Sequence, residues 1–179
     1  REKANRRTYK DRQFYVGIDG EGQGRNDHRY VMLAWSSEDG TRRDCIESPP
    51  NCVGCGCPPE QHHDNVGKCL ACADGNGCAE FTRLGLTTVQ CLDFILSTPK
   101  RGKLFAYSFN YDLTKMLADC DNGVLYRLAR PEDRPSKDPR KGPEPESWNG
   151  YKLNLLGTKF TVEKVTGRKG KKLIVERRT

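Results

Sequence analysis

The apolar run Phe14-Tyr15-Val16-Gly17-Ile18 ends in Asp19-Gly20-Glu21, and this junction limits the chain's options more than any other segment. The run predicts a strand over 14–19, and residues two apart on a strand face the same way. Asp19 and Glu21 are therefore expected to present two carboxylates side by side at a strand end. Like charges so close repel, and a divalent cation is the usual reason to tolerate them. The competing reading is a hairpin turn, because Asp-Gly and the glycines at 20, 22 and 24 are turn chemistry.

A second acidic position adds weight to the first. Residues 104–110, rich in aromatics, read as a strand, and Leu113, Met116 and Leu117 then fall at helical spacing over 112–120. Asp112 stands where strand hands over to helix. That is the place of an N-cap, for which Asp is strongly preferred, and capping is compatible with a role in binding metal.

Together the two segments resemble exonuclease motifs I and II of DnaQ-like 3′–5′ exonucleases, as carried by family B DNA polymerases. The nearest group is that of phages, plasmids and mitochondrial plasmids, many of whose members prime with a protein. Motif I, Asp-x-Glu, is matched by Asp19 and Glu21; motif II, an aromatic followed by Asp, is matched by Tyr111 and Asp112. The stretch Tyr151 to Phe160 is also similar to this group's strand pair after motif II. The resemblance spans roughly residues 12 to 163 and implies a ribonuclease-H-like α/β fold with a mixed sheet. It further implies that Asp19, Glu21 and Asp112 hold two Mg²⁺ or Mn²⁺ ions for phosphodiester hydrolysis at the 3′ end of single-stranded DNA. Ser108, Phe109 and Asn110 are then candidates for contacting the terminal nucleotides, with Phe109 either stacking on a base or lying in the core. A terminal protein or other replication factors are the implied partners.

The match has departures. Ser108 stands where the protein-primed phage enzymes usually carry Asn, and motif III, Tyr-x-x-x-Asp or His-x-x-x-x-Asp, is absent after Asp112. The chain starts at Arg1 and stops at Thr179 in a charged segment, and it is read as a piece of a larger protein.

Nine cysteines raise the question of a disulfide scaffold, but their spacing points to metal. Cys52-x-x-Cys55 and Cys69-x-x-Cys72 are two knuckles, each able to bring two thiolates to one tetrahedral zinc. Cys57, His62, His63 and Cys78 lie in the same segment, and His63 or Cys78 are the expected substitutes should a knuckle cysteine not bind. Residues 52–78 carry three acidic side chains and one lysine, the wrong sign for a finger that grips DNA. The expectation is a structural or partner-binding zinc module inserted over 48–81. Thiolate ligation calls for a reducing compartment, so cytoplasm or an equivalent replication site is expected. Cys91, beside Val89 and Leu92 on an apolar helix, reads as a core residue.

The net charge of +7 is concentrated at the ends: residues 1–12 carry +4 and residues 164–179 carry +6, leaving −3 for residues 13–163. An acidic body suits a cation-binding carboxylate site, while basic ends either engage phosphates or remain solvated. No apolar run approaches a membrane span.

Four parts follow: a basic arm over 1–12, a partial exonuclease domain over 13–179, the insertion over 48–81, and a proline-rich mobile loop over 130–149. Further strands are expected over 29–36, 41–47, 151–156, 158–165 and 172–176, the last two joined by Gly167 to Gly170. A helix capped by Thr87 or Thr88 should end at Pro99. The alternative function is a non-catalytic zinc protein that binds nucleic acid or a replication partner. The coding sequence beyond Thr179 distinguishes the two.

Overall fold

The computed structural model describes residues 14–23, 29–52, 62–63, 68–69, 81–83, 85–100, 102–106, 109–136, 138, 140, 142–169 and 172–179. The basic arm over 1–12 lies outside the described residues. Strand β1 (Phe14–Gln23) continues through Gly20 and Gly22, which sequence pattern assigns to a turn; Gly24 lies outside the described residues. It pairs antiparallel with β2 (Arg29–Ser37), and β2 pairs with β3 (Arg43–Glu47). The expected Glu38-Asp39-Gly40 turn joins β2 to β3. Gly40 takes φ +68°, and the Ser37 hydroxyl and Thr41 N–H hold the Asp39 carboxyl down to about 2.

Short ribbons mark the insertion: β4 (Pro50–Cys52) pairs with β7 (Phe81–Arg83), and β5 (His62–His63) with β6 (Lys68–Cys69). Helix α1 (Thr88–Ser97) follows, and strand β8 (Gly102–Ala106) then returns parallel to β1. The first sheet thus has the order β3-β2-β1-β8. Thr87 is the cap of α1, in a reciprocal box with Gln90.

Beyond β8 the boundaries differ from those expected. The aromatic run favours a strand by propensity, yet β8 stops at Ala106 and helix α2 covers Phe109–Met116. Asp112 is consequently not the N-cap but the fourth residue of α2, within its first turn. A third helix, α3 (Asn122–Ala129), was not expected; Asp121 caps it by accepting the Val124 N–H at 2.9 Å. The proline-rich segment is partly built into the fold. Arg134 is buried and donates to the carbonyls of Arg127 and Glu144 and to Asn154, while β9 (Glu146–Trp148) joins the second sheet.

That second sheet is antiparallel, in the order β12-β11-β10-β9, with β10 (Tyr151–Leu156), β11 (Lys159–Lys169) and β12 (Lys172–Arg178). Its β9–β10 hairpin turns on Asn149 and Gly150, both at positive φ, the preferred pair for a two-residue connection. Residues 167–169, expected in a connection, belong to β11, which carries an irregularity between Val165 and Gly167.

The core lies where α1 meets both sheets. Val16, Ile18, Leu33 and Trp35 bury one face of the first sheet, and Leu153, Phe160 and Val162 one face of the second, around Leu92 and Ile95. Cys91 is fully buried there, as expected. Arg178 closes the other end of α1, donating to the side chain and carbonyl of Thr98. Among the described residues no helix is long and apolar enough to cross a membrane.

Candidate active site

Asp19 and Glu21 stand on β1 opposite Ala34 and Met32, and both are exposed. They alternate with Ile18 and Gly20, which face the core side. Asp112 reaches the same region from α2 and is only 5% exposed. A carboxylate in the first turn of a helix is favoured by the free N–H groups there.

Tyr30 joins these elements. Its hydroxyl donates to Oδ1 of Asp112. Burial is the main cause that pushes the Tyr30 pKa far up, and the bond to Asp112 and the charges of Asp112, Asp19 and Tyr111 all push the same way. Asp19 and Asp112, distant in sequence, therefore act on one phenol. Tyr111, the residue before Asp112, is close by as well: a Cβ on Gly22 would lie 3.9 Å from its hydroxyl.

The position of Tyr30 comes from a bulge. Pairing runs regularly from Val16↔Ser37 to Glu21↔Met32 and then slips, so that Gly22 faces Tyr30 and Val31 is the extra residue. Without the slip, Tyr30 would fall on the opposite face from Leu33 and Trp35. Sequence pattern misses Tyr30 for this reason: strict alternation from Leu33 and Trp35 selects Val31. Both carbonyls at the bulge are used, since Ser48 N–H donates to Val31 O at 2.7 Å and Leu86 N–H to Tyr30 O at 2.5 Å.

Asp119, also unforeseen, ties the surrounding elements together. Its carboxylate accepts from Arg29 at the start of β2 and from the Thr88 N–H at the start of α1 (2.7 Å), while its own N–H donates to the Thr88 hydroxyl at 2.9 Å.

Of the candidates for nucleotide contact, Asn110 is exposed on α2, Phe109 begins that helix, and Ser108 lies outside the described residues. Of the candidate zinc ligands, Cys52 ends β4, His62 and His63 form β5, and Cys69 ends β6 directly opposite His62. Cys55, Cys57, Cys72 and Cys78 lie outside the described residues. Among the described residues no group of three or more His, Cys, Asp or Glu side chains is placed to hold a metal ion. On the open face of the first sheet, Asp19 borders a broad trough of about 930 Å³ that also touches Trp35, Arg43, Asp44 and Phe105. Protein-family models, curated proteins and solved structures give no match to this chain.

Proposed function

We propose that this chain is the 3′–5′ exonuclease part of a family B-type DNA polymerase, with Asp19, Glu21 and Asp112 as its metal-binding carboxylates. The observation that carries this reading is that Asp112, from α2, bonds the Tyr30 hydroxyl on the strand paired with the one that carries Asp19 and Glu21, at the end of the parallel β1–β8 pair. The order β3-β2-β1-β8, with β2 antiparallel to its neighbours and a helix leading into β8, agrees with the first four strands of a ribonuclease-H-like sheet.

The donor set suits a hard divalent ion. Carboxylate oxygens are the preferred ligands of Mg²⁺ and Mn²⁺. Bound there, such ions would activate a water and stabilise the departing 3′ oxygen. The protein's own part is to place Asp19 and Glu21 on β1 and Asp112 in the first turn of α2, beside an open sheet face along which a single strand can approach. In the insertion, Cys52, Cys55, Cys69 and Cys72, with His63 or Cys78 as alternates, would hold a structural zinc. Ribbons of two and three residues have little stability of their own, so a metal would supply the missing folding energy.

A second reading, a zinc-containing protein that binds nucleic acid or a replication partner without catalysis, is favoured by the lack of a ready-made three-ligand group among the described residues. Mn²⁺ titration followed by electron paramagnetic resonance separates the two. Under the nuclease reading the protein binds Mn²⁺, and Asp19→Asn or Asp112→Asn weakens binding at least tenfold. The same substitutions should remove, by orders of magnitude, metal-dependent shortening of a 5′-labelled single strand. Binding and hydrolysis indifferent to both substitutions would refute the assignment.

A further inference from the structure

We propose that Tyr30 is a positioning residue for Asp112: its hydroxyl bonds Oδ1 and so fixes the orientation in which the carboxylate would meet a cation. This inference rests on the carboxylate reading above, and it assigns a residue that no exonuclease motif includes.

Three independent features hold the phenol in place. The bulge at Val31 turns Tyr30 onto the face from which α2 approaches, and the carbonyls of both residues are bonded to Leu86 and Ser48. The ring is fully buried and lies flat on Gly20, where a Cβ would come within 2.6 Å of Cε1, 2.7 Å of Cδ1 and 2.8 Å of Cζ. The hydroxyl then meets Asp112 Oδ1. Glycine at position 20 has a reason beyond turn formation, since any other residue would displace the ring that aims the hydroxyl.

An ordinary buried tyrosine needs a hydrogen-bond partner, but it does not need a strand bulge and a facing glycine that bring its hydroxyl to a candidate ligand. Bonds from neighbours to metal-binding side chains fix ligand orientation, and losing one commonly lowers metal affinity 10- to 100-fold. A carboxylate released from its donor rotates among orientations of which only some can share an ion with Asp19.

The test measures Mn²⁺ affinity of the whole chain by paramagnetic resonance, with far-ultraviolet dichroism and thermal melting as checks on folding. Tyr30→Phe fills the same space without the hydroxyl. It is expected to weaken Mn²⁺ binding about 10- to 100-fold in a protein that still folds, and to lower kcat on single-stranded DNA with little change in KM. A purely structural role would lower the melting temperature and leave Mn²⁺ affinity in the folded protein unchanged. Gly20→Ala keeps the hydroxyl but moves the ring, and it should weaken Mn²⁺ binding likewise, giving a second route if Tyr30→Phe does not fold. Affinity within twofold of the unchanged protein for either folded variant overturns the proposal. Asp112→Asn locates the failure. If it abolishes Mn²⁺ binding while Tyr30→Phe does not alter it, only the positioning role falls; if Asp112→Asn changes nothing, the carboxylate reading falls and takes this role with it.

Discussion

Replacing Asp119 by alanine tests whether the start of β2, the start of α1 and the segment after α2 are held together by one carboxylate. The substitution removes the acceptor for the Thr88 N–H and the ion pair with Arg29, while the Asp119 N–H bond to Thr88 remains. Losing the acceptor at a helix start costs about 1 kcal/mol. The Arg29 pair is partly exposed, with side chains 24% and 29% accessible, and is worth no more than about 1 kcal/mol. A total near 2 kcal/mol corresponds to a fall in Tm of about 4–8 °C for a chain of this size.

The effect should depend on pH in a definite sense. Desolvation alone would raise the Asp119 pKa, but the Thr88 N–H, the Arg29 guanidinium and the Thr88 hydroxyl outweigh it and hold the carboxyl below its ordinary range. A carboxyl with a depressed folded pKa contributes stability above its unfolded pKa, about 3.9, and loses it as pH falls through the folded value. Melting curves of Asp119→Ala and the unchanged protein should therefore stand apart at pH 7 and draw together below pH ~4. Equal melting temperatures at pH 7, or a gap that persists undiminished in acid, would refute the reasoning.

Two further outcomes concern the cysteines. Burial first, and nearby acidic groups second, raise the Cys91 and Cys120 thiols to about 12, so neither should react with iodoacetamide at pH 8 in the folded protein, whereas exposed Cys45 should; prompt labelling of Cys91 by peptide mass spectrometry would contradict the packing. The insertion should bind about one zinc per chain through Cys52, Cys55, Cys69 and Cys72, and chelation should unfold residues near 48–81 while amides of β1 and β2 keep their protection from exchange. Disulfides among those four cysteines, or protein purified without zinc, would exclude this.

Sequence pattern carries well where local preference and tertiary demand agree. β2 and β3 with their Asp39-Gly40 turn, the Thr87 box of α1 and the start of β10 are all legible from alternation, capping and turn chemistry. It fails where a neighbour overrides preference. Gly20 and Gly22 read as a turn, yet they extend β1 because β2 pairs with them and the Tyr30 ring requires a bare Cα at position 20. Aromatics at 107, 109 and 111 favour a strand, but the chain is already helical at Phe109. Helix α3 is eight residues long, too short for its Val124 and Leu128 to stand out as a periodic face. At the candidate site, Asp19, Glu21 and Asp112 are expected from the resemblance to exonuclease motifs. The tyrosine that meets Asp112 is not, because a one-residue slip in register leaves no trace in composition or period.

Among the described residues, the bonds from Ser48 and Leu86 to the bulge and the β4–β7 ribbon form a narrow stem at the base of the insertion. Its two ends are adjacent, Pro50 beside Arg83, so the connection between them can change length without moving the sheet. A chain in which a two-residue Asn-Gly turn replaces residues 53–80 would keep the bonds that Ser48 and Leu86 make with β2. The cysteine-rich cassette can therefore be varied or removed apart from the sheet that carries Asp19 and Glu21.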